Sequence, residues 1–157
     1  MVRGEEVSCT DGQAEGFACS EVDLLAFLPL GELGIPPGGS GLSSGVTDVW
    51  GWTDPETRHE YALIGRVGGA AVVDITDPSA PVYVGLLAVE DGSAQDIKVY
   101  ADHAFIVSEA SGHGMQVFDL GQLRSLGSPP VTLAETAHYD GFSTAHNIAI
   151  NTDTAYA

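Results

Sequence analysis

The sequence predicts an all-β fold, specifically a β-propeller fragment, from three observations. Glycine is frequent, with 20 in 157 residues, and 8 prolines accompany it, as in chains with many tight turns. Short apolar runs rich in β-branched and aromatic residues alternate with those turns. The third observation is an internal repeat of roughly 45 to 50 residues, the length of a four-stranded propeller blade. A β-sandwich or another antiparallel β fold is the alternative interpretation.

The clearest repeat relates residues 95–106 to residues 146–157. "QDIKVYADHAFI" and "HNIAINTDTAYA" align at an offset of 51, which places Ile97 against Ile148. Alternating apolar residues on either side of a polar turn are typical of a hairpin. Each copy is therefore expected to form the two inner strands of a blade, and the second hairpin would be incomplete in this chain.

An earlier copy of the repeat is looser. "TDVWGW" (47–52) corresponds to "QDIKVY", and the turn-rich "TDPETRHE" (53–60) lengthens its hairpin by about six residues. A third strand follows in each unit, and then a fourth, in residues 81–89 and 130–137. "LGQLRSL" (120–126) is expected to form a helical turn. The pattern predicts two four-stranded blades and the first half of a third.

The segment "VDLLAFLPL" (22–30) fits either a short helix or a strand. We interpret it as an orphan outer strand, of the kind that closes a propeller by pairing with the last blade. The predicted organisation is an N-terminal segment (1–21), the orphan strand with a Gly/Ser/Pro-rich linker (22–45), blade 1 (46–89), blade 2 (90–137) and the truncated start of blade 3 (138–157).

Cys9 and Cys19 are the only cysteines and flank a polar segment with two glycines. A disulfide closing this small loop is predicted, which indicates an oxidising compartment. A thiolate metal site would need a closer pair and further ligands. Two free thiols remain the alternative.

The net charge is −17, from 22 acidic and only 5 basic residues. Nucleic acid and anionic membrane surfaces would be repelled, so neither is an expected partner, whereas cations are compatible. No apolar run approaches the roughly 18 residues of a membrane span. The first residues lack the apolar core of a secretory signal, so for an exported protein we expect a signal peptide upstream of this chain.

Three of the five histidines fall on one predicted face of the propeller. That face carries the loops between second and third strands and the connections between blades, and it holds His113, His138 and His146. Neutral imidazoles bind Zn²⁺, Cu²⁺ or Fe²⁺, so these three are candidate metal ligands that leave one position open for water or substrate. The alternative is loop packing and, for His146, hydrogen bonding that closes the ring.

Four further polar residues are predicted at the same face and are candidates for ligand binding. Asp48, Asp96 and Asn147 begin successive inner strands at the channel mouth, and Glu109 lies in the same loop as His113. No catalytic residue is predicted, because the chain has no G-x-S-x-G elbow, no phosphate loop and no EF-hand spacing.

Several stretches together resemble one family. They include "CSEVDLLAFLPLGELG", and the combination of "SEASGHGMQVFDL" with "AHNIAIN" is specific, whereas "VVDITDP" alone is common among propellers. From about Cys9 to its last residue the chain resembles the choice-of-anchor B family, which comprises secreted or surface-anchored microbial proteins with LVIVD-type repeats. The resemblance implies a propeller-like fold, export and an extracellular or cell-surface location. It implies no established activity.

The predicted function is a surface binding or interaction module. Its partners would be an unidentified extracellular ligand or protein and the remaining blades of the parent chain. The alternative is a metal-dependent enzyme, oxidoreductase-like, with a His-rich site at the channel mouth. A third interpretation is a purely structural surface protein.

Overall fold

Short antiparallel strands dominate the computed structural model, which describes residues 2, 4–35, 45–89 and 95–151. 3-10 turns occur at Leu30–Leu33 and Leu120–Ser125, the second where the sequence predicts a helical turn. In this part of the chain, no helix is long and apolar enough to cross a membrane. The strands are β1 (Gln13–Ala14), β2 (Phe17–Ala18), β3 (Val46–Thr53), β4 (Glu60–Arg66), β5 (Gly69–Asp74), β6 (Val82–Ala88), β7 (Gln95–Tyr100), β8 (His103–Ser108), β9 (Met115–Asp119), β10 (Val131–Leu133) and β11 (Ala137–Tyr139).

Two consecutive sheets correspond to the two predicted blades. Blade 1 has the strand order β10-β6-β5-β4-β3 and blade 2 has the order β11-β9-β8-β7. All neighbouring strands are antiparallel except β10, which runs parallel to β6. The prediction of an all-β, propeller-like fold is confirmed, and the inner hairpin of each blade has the predicted strands.

The main core lies between the two blades. Alternation along β4 sends Tyr61 and Leu63 into this core, while Ala62 and Ile64 point to the opposite face of the sheet. Blade 2 contributes the largest fully buried side chain, Phe118. Both faces of blade 1 are therefore covered, as expected for sheets that stack one on another. The core residues are Trp52, Tyr61, Leu63, Ala70, Val72, Val84, Leu87, Ile97, Ala104, Ile106, Phe118, Leu120, Leu123 and Leu133.

Polar contacts reinforce this interface on the side of the β3–β4 loop. Asp54 is fully buried and receives the Arg124 guanidinium, whose Nε and Nη2 lie 2.9 and 2.7 Å from its two carboxylate oxygens. Nearby, Trp52 Nε1 donates to Asp102 Oδ1 over 3.0 Å. These bonds tie the outer loop of blade 1 to two turns of blade 2.

The N-terminal segment covers the other face of blade 1. Residues 22–29 form no named strand, and among the described residues they pair through single antiparallel bridges, Val7 with Leu24 and Val2 with Phe27. Further along, Leu33 and Ile35 pack against Val73 in a small second core. The segment predicted as an outer strand thus packs on one face of blade 1 without forming a regular strand. Residues 36–44 of the predicted linker lie outside the described part of the chain.

The fourth strand of blade 2 differs from the prediction for residues 130–137. The structure divides that segment: β10 joins blade 1, and only β11 completes blade 2 beside β9. A side chain at Gly85 would collide with the Val131 carbonyl, so glycine on β6 is what lets β10 approach. The last strand of blade 2 therefore extends to Tyr139, and His138 lies within it rather than in the connection after it.

The predicted third unit is only partly described. Residues 140–150 contain no strand in the structure. The predicted "NTDT" turn and the strand after it begin at Asn151, and residues 152–157 lie outside the described part of the chain. The predicted disulfide is present: Cys9 and Cys19 are bonded across the β1–β2 hairpin.

Candidate functional site

The candidate residues Asp48 and Asp96 make equivalent contacts between successive units. The Ile97 backbone N–H donates to Asp48 Oδ2 over 2.9 Å, and the Ile148 N–H donates to Asp96 Oδ2 over 2.7 Å. Each carboxylate at the start of one inner strand thus holds the backbone of the next unit. Both carboxylates are already hydrogen bonded within the protein.

Lys98 connects these two carboxylates. Its Nζ lies 2.7 Å from Asp96 Oδ1, 3.4 Å from Asp48 Oδ2 and 4.7 Å from the centre of the Trp50 ring. Burial would lower the pKa of Lys98, but the bond to Asp96 and the charges of both carboxylates raise it above its ordinary value. Burial likewise opposes ionisation of Asp48, yet hydrogen bonds led by the Ile97 N–H hold its pKa below the ordinary value. Asp48, Asp96 and Lys98 therefore form a charged cluster whose members pair with one another and join successive units.

Glu109 and His146 form a separate surface pair. His146 Nδ1 lies 2.6 Å from Glu109 Oε1, and both side chains are largely exposed. The nearby residue Asn147 lines a cavity of about 500 Å³ together with apolar side chains such as Met115 of blade 2 and Phe142 of the segment after it. Glu109, His146 and Asn147 are all exposed.

His113 and His138 lie close to each other in the structure. Their ring centres are 6.3 Å apart in an edge-on arrangement. His113 is buried, and its Nε2 lies 3.4 Å from the Ile106 carbonyl. Burial lowers the pKa of His113 below its ordinary value, which favours the neutral ring. His138 is partly exposed, and its Nδ1 lies 3.0 Å from Glu135 Oε2.

The predicted three-histidine set is not assembled, since His146 pairs with Glu109 instead. Within the residues that the structure describes, no group of three or more His, Cys, Asp or Glu side chains is placed to hold a metal ion. The physical reason is local: β11 fixes His138 opposite Gln116, whereas His146 follows on an irregular segment after that strand.

A groove of about 470 Å³ surrounds the pair of His113 and His138. It lies between the end of β6 in blade 1 and the β8–β9 loop and β11 of blade 2. The wall is mixed, with apolar side chains on the blade 1 side and polar side chains on the blade 2 side. The lining residues are Ala88, Val89, Ala110, Ser111, Gly112, His113, Gln116, Glu135 and His138.

Gln116 is the unusual member of this groove. Its side chain is only 6% exposed, and its Nε2 donates to the Ala88 carbonyl over 3.3 Å. Its Oε1 is buried and has no hydrogen-bond partner. A buried acceptor without a partner is costly in a folded protein, so it marks a place where a donor from outside the chain would be stabilising.

Gln116 and Glu135 are not among the site residues predicted from the sequence. Gln116 is a polar residue inside the apolar strand "MQVFDL", which is the one signal that could have revealed it. Glu135 gives no comparable signal, because a glutamate near the end of a predicted outer strand is ordinarily a solvent-exposed side chain.

The comparisons with known proteins agree with the repeat. Residues 58–88 and 91–115 match the sequence model of the LVIVD repeat. The first match covers β4 to β6, and the second covers β7, β8 and the start of β9. Over these residues the chain is similar to LVIVD-repeat proteins, whose repeats are propeller-like. No curated protein and no solved structure matches the chain.

Proposed function

We propose that this chain of LVIVD repeats is part of an extracellular β-propeller that acts as a binding module, with the groove between blades 1 and 2 as its recognition site. The observation that carries the proposal is that Gln116, a residue lining this groove, has a buried Oε1 without a hydrogen-bond partner. Binding sites combine an apolar wall with a few placed polar groups, and this groove has that composition.

An extracellular location is supported by the Cys9–Cys19 disulfide, because such bonds persist in oxidising compartments. The strongly acidic composition is compatible with an exposed surface protein. We further propose that the chain belongs to the choice-of-anchor B family, which is a narrower group than LVIVD-repeat proteins. This proposal depends on the sequence motifs that run from Cys9 to the end of the chain.

The alternative of a metal-dependent oxidoreductase has weaker support. It would use His113 and His138, which are neighbours, but it lacks a third ligand among the described residues. Elemental mass spectrometry after purification tests it: about one bound transition metal per chain, lost in His113→Ala, would favour the enzyme over the binding module.

The binding proposal is tested by a fragment screen with ligand-observed NMR. Wild type is compared with Ala88→Trp, in which a large side chain at an exposed position fills the groove. Ala80→Trp, an equally exposed alanine in the loop between β5 and β6, is the matched control.

The expected result is a set of fragments that bind wild type and Ala80→Trp but lose their signal in Ala88→Trp. If no fragment distinguishes Ala88→Trp from its control, the groove is not a binding site. Circular dichroism on all three proteins verifies that the substitutions leave the fold intact.

A further inference from the structure

Acceptors dominate the polar side chains of this groove, and the Ser111 hydroxyl, which can donate as well as accept, is also part of its lining. Gln116 Oε1 is free and buried, while Glu135 contributes a carboxylate at the rim. The same carboxylate lies 3.0 Å from Nδ1 of His138, which also lines the groove.

Three backbone donors of the neighbouring loop are already used. The Gly112 N–H donates to Ser143 Oγ, the His113 N–H to the Ala110 carbonyl and the Gly114 N–H to the Ser143 carbonyl. An anionic ligand would therefore meet carboxylate and carbonyl oxygens with few donors to offset them. A phosphate or carboxylate ligand does not fit this chemistry.

The charge of the whole chain also disfavours an anionic ligand. A net charge of −17 draws cations toward the surface and repels anions. On the blade 1 side, Ala88 and Val89 offer a short apolar wall against which an alkyl chain can lie.

We infer that the groove binds a cationic nitrogen group on an alkyl chain, an alkylammonium or alkylguanidinium, whose N–H donors meet Gln116 Oε1 and the Glu135 carboxylate. This inference rests on the proposed function, since it names the ligand class of the same groove. The cation has two sources, a free amine or a basic side chain of a partner protein, which share this chemistry.

The experiment measures binding to the intact chain by isothermal titration calorimetry. The probes are N-acetyl-lysine amide and N-acetyl-arginine amide for basic side chains, and 1,5-diaminopentane for free amines. N-acetyl-norleucine amide has a similar alkyl chain without the charge and serves as the uncharged reference.

The variants are Glu135→Gln and Gln116→Leu, with Glu6→Gln as the control. Glu6→Gln removes the same charge at an exposed position in the N-terminal segment, away from the groove. We expect the best charged probe to bind about tenfold more tightly than norleucine amide, because one charge-assisted hydrogen bond supports a difference of that size. Glu135→Gln and Gln116→Leu should each remove most of this difference, whereas Glu6→Gln should change affinity less than about twofold.

Equal binding of norleucine amide, or an equal loss in Glu6→Gln and Glu135→Gln, would overturn the inference. If neutral or anionic fragments bind at the groove while the charged probes do not, the ligand class is wrong and the binding module stands. If nothing is sensitive to Ala88→Trp, the binding module itself fails. Stronger binding of 1,5-diaminopentane than of both amino-acid amides would identify a free amine as the source, and the reverse would identify a basic side chain.

Discussion

The molecule has two junctions between successive units: blade 1 with blade 2, and blade 2 with the segment after it. They share one hydrogen bond but differ in the packing behind it. At both, an inner-strand aspartate accepts the backbone N–H of an isoleucine in the next unit: Asp48 from Ile97, and Asp96 from Ile148. At the first junction an apolar core fills the space behind this bond. At the second, the same region is a cavity of about 500 Å³.

A second difference lies one residue before each aspartate. Thr47 Oγ1 donates to the Gln95 carbonyl and accepts from the Gln95 N–H, over 3.0 and 3.1 Å. Gln95 occupies the corresponding place in blade 2, is 3% exposed, and neither of its side-chain polar atoms has a partner. The comparison teaches that the aspartate bond needs only one strand segment from the next unit, whereas the apolar packing at the first junction comes from side chains of several strands of blade 2.

The largest expected effect is at the paired isoleucines. Ile97→Ala should lower the free energy of unfolding by about 2–5 kcal/mol, because Ile97 is fully buried and its truncation leaves a cavity. Ile148→Ala should cost less than about 1 kcal/mol, since Ile148 is only half-buried beside space that is already open. Urea unfolding measures both. Equal losses would mean that the second junction is packed as tightly as the first.

The aspartates should show a smaller difference in the same direction. Asp48→Ala leaves the N–H of the fully buried Ile97 without an acceptor, at a cost of about 1–3 kcal/mol. Asp96→Ala should cost less, because the half-buried Ile148 can turn its N–H to water and Lys98 keeps Asp48 as a partner. Urea unfolding of both variants is the measurement, and a larger loss for Asp96→Ala would contradict the comparison.

The residues before the aspartates should give effects of opposite sign. Thr47→Val removes two hydrogen bonds with the Gln95 backbone and should cost about 1 kcal/mol. Gln95→Met removes a buried amide that has no partner and should stabilise this chain by about 1 kcal/mol. The melting temperature checks both signs. A destabilised Gln95→Met would show that the amide has partners at the second junction after all.

The smallest effect is expected in the pH dependence of stability near pH 4. The first junction contains the ion pair of Asp54 with Arg124, and no equivalent pair is described at the second junction. The bond from Arg124 holds the pKa of Asp54 well below its ordinary value. A lowered pKa in the folded state contributes stability that is complete above the unfolded value, near 3.9, and is lost as pH falls below it.

Thermal unfolding between pH 7 and pH 3 should therefore show a melting temperature that declines below about pH 4. Arg124→Gln should reduce the part of this decline that Asp54 causes, while the lowered pKa of Asp77, which depends on its bonds with Ser79, continues to contribute. Identical pH profiles for wild type and Arg124→Gln would rule out Asp54 as a source of the acid sensitivity.

Some features follow from residues near one another in the chain. The blade hairpins could be predicted because strand alternation and turn residues are local signals, as at β7 and β8. The disulfide could be predicted because only two cysteines exist, and they flank a short loop.

The sequence by itself therefore determined the repeat, the strands of each inner hairpin and the cysteine pair. Only the tertiary structure decided that β10 joins blade 1, that His146 meets Glu109 rather than the other histidines, and that Gln116 and Glu135 share a groove. The physical reason is that strand edges and loop ends choose partners by long-range packing. The missing side chain at Gly85, far from Val131 in the chain, opens one such edge, and no local pattern reveals that choice.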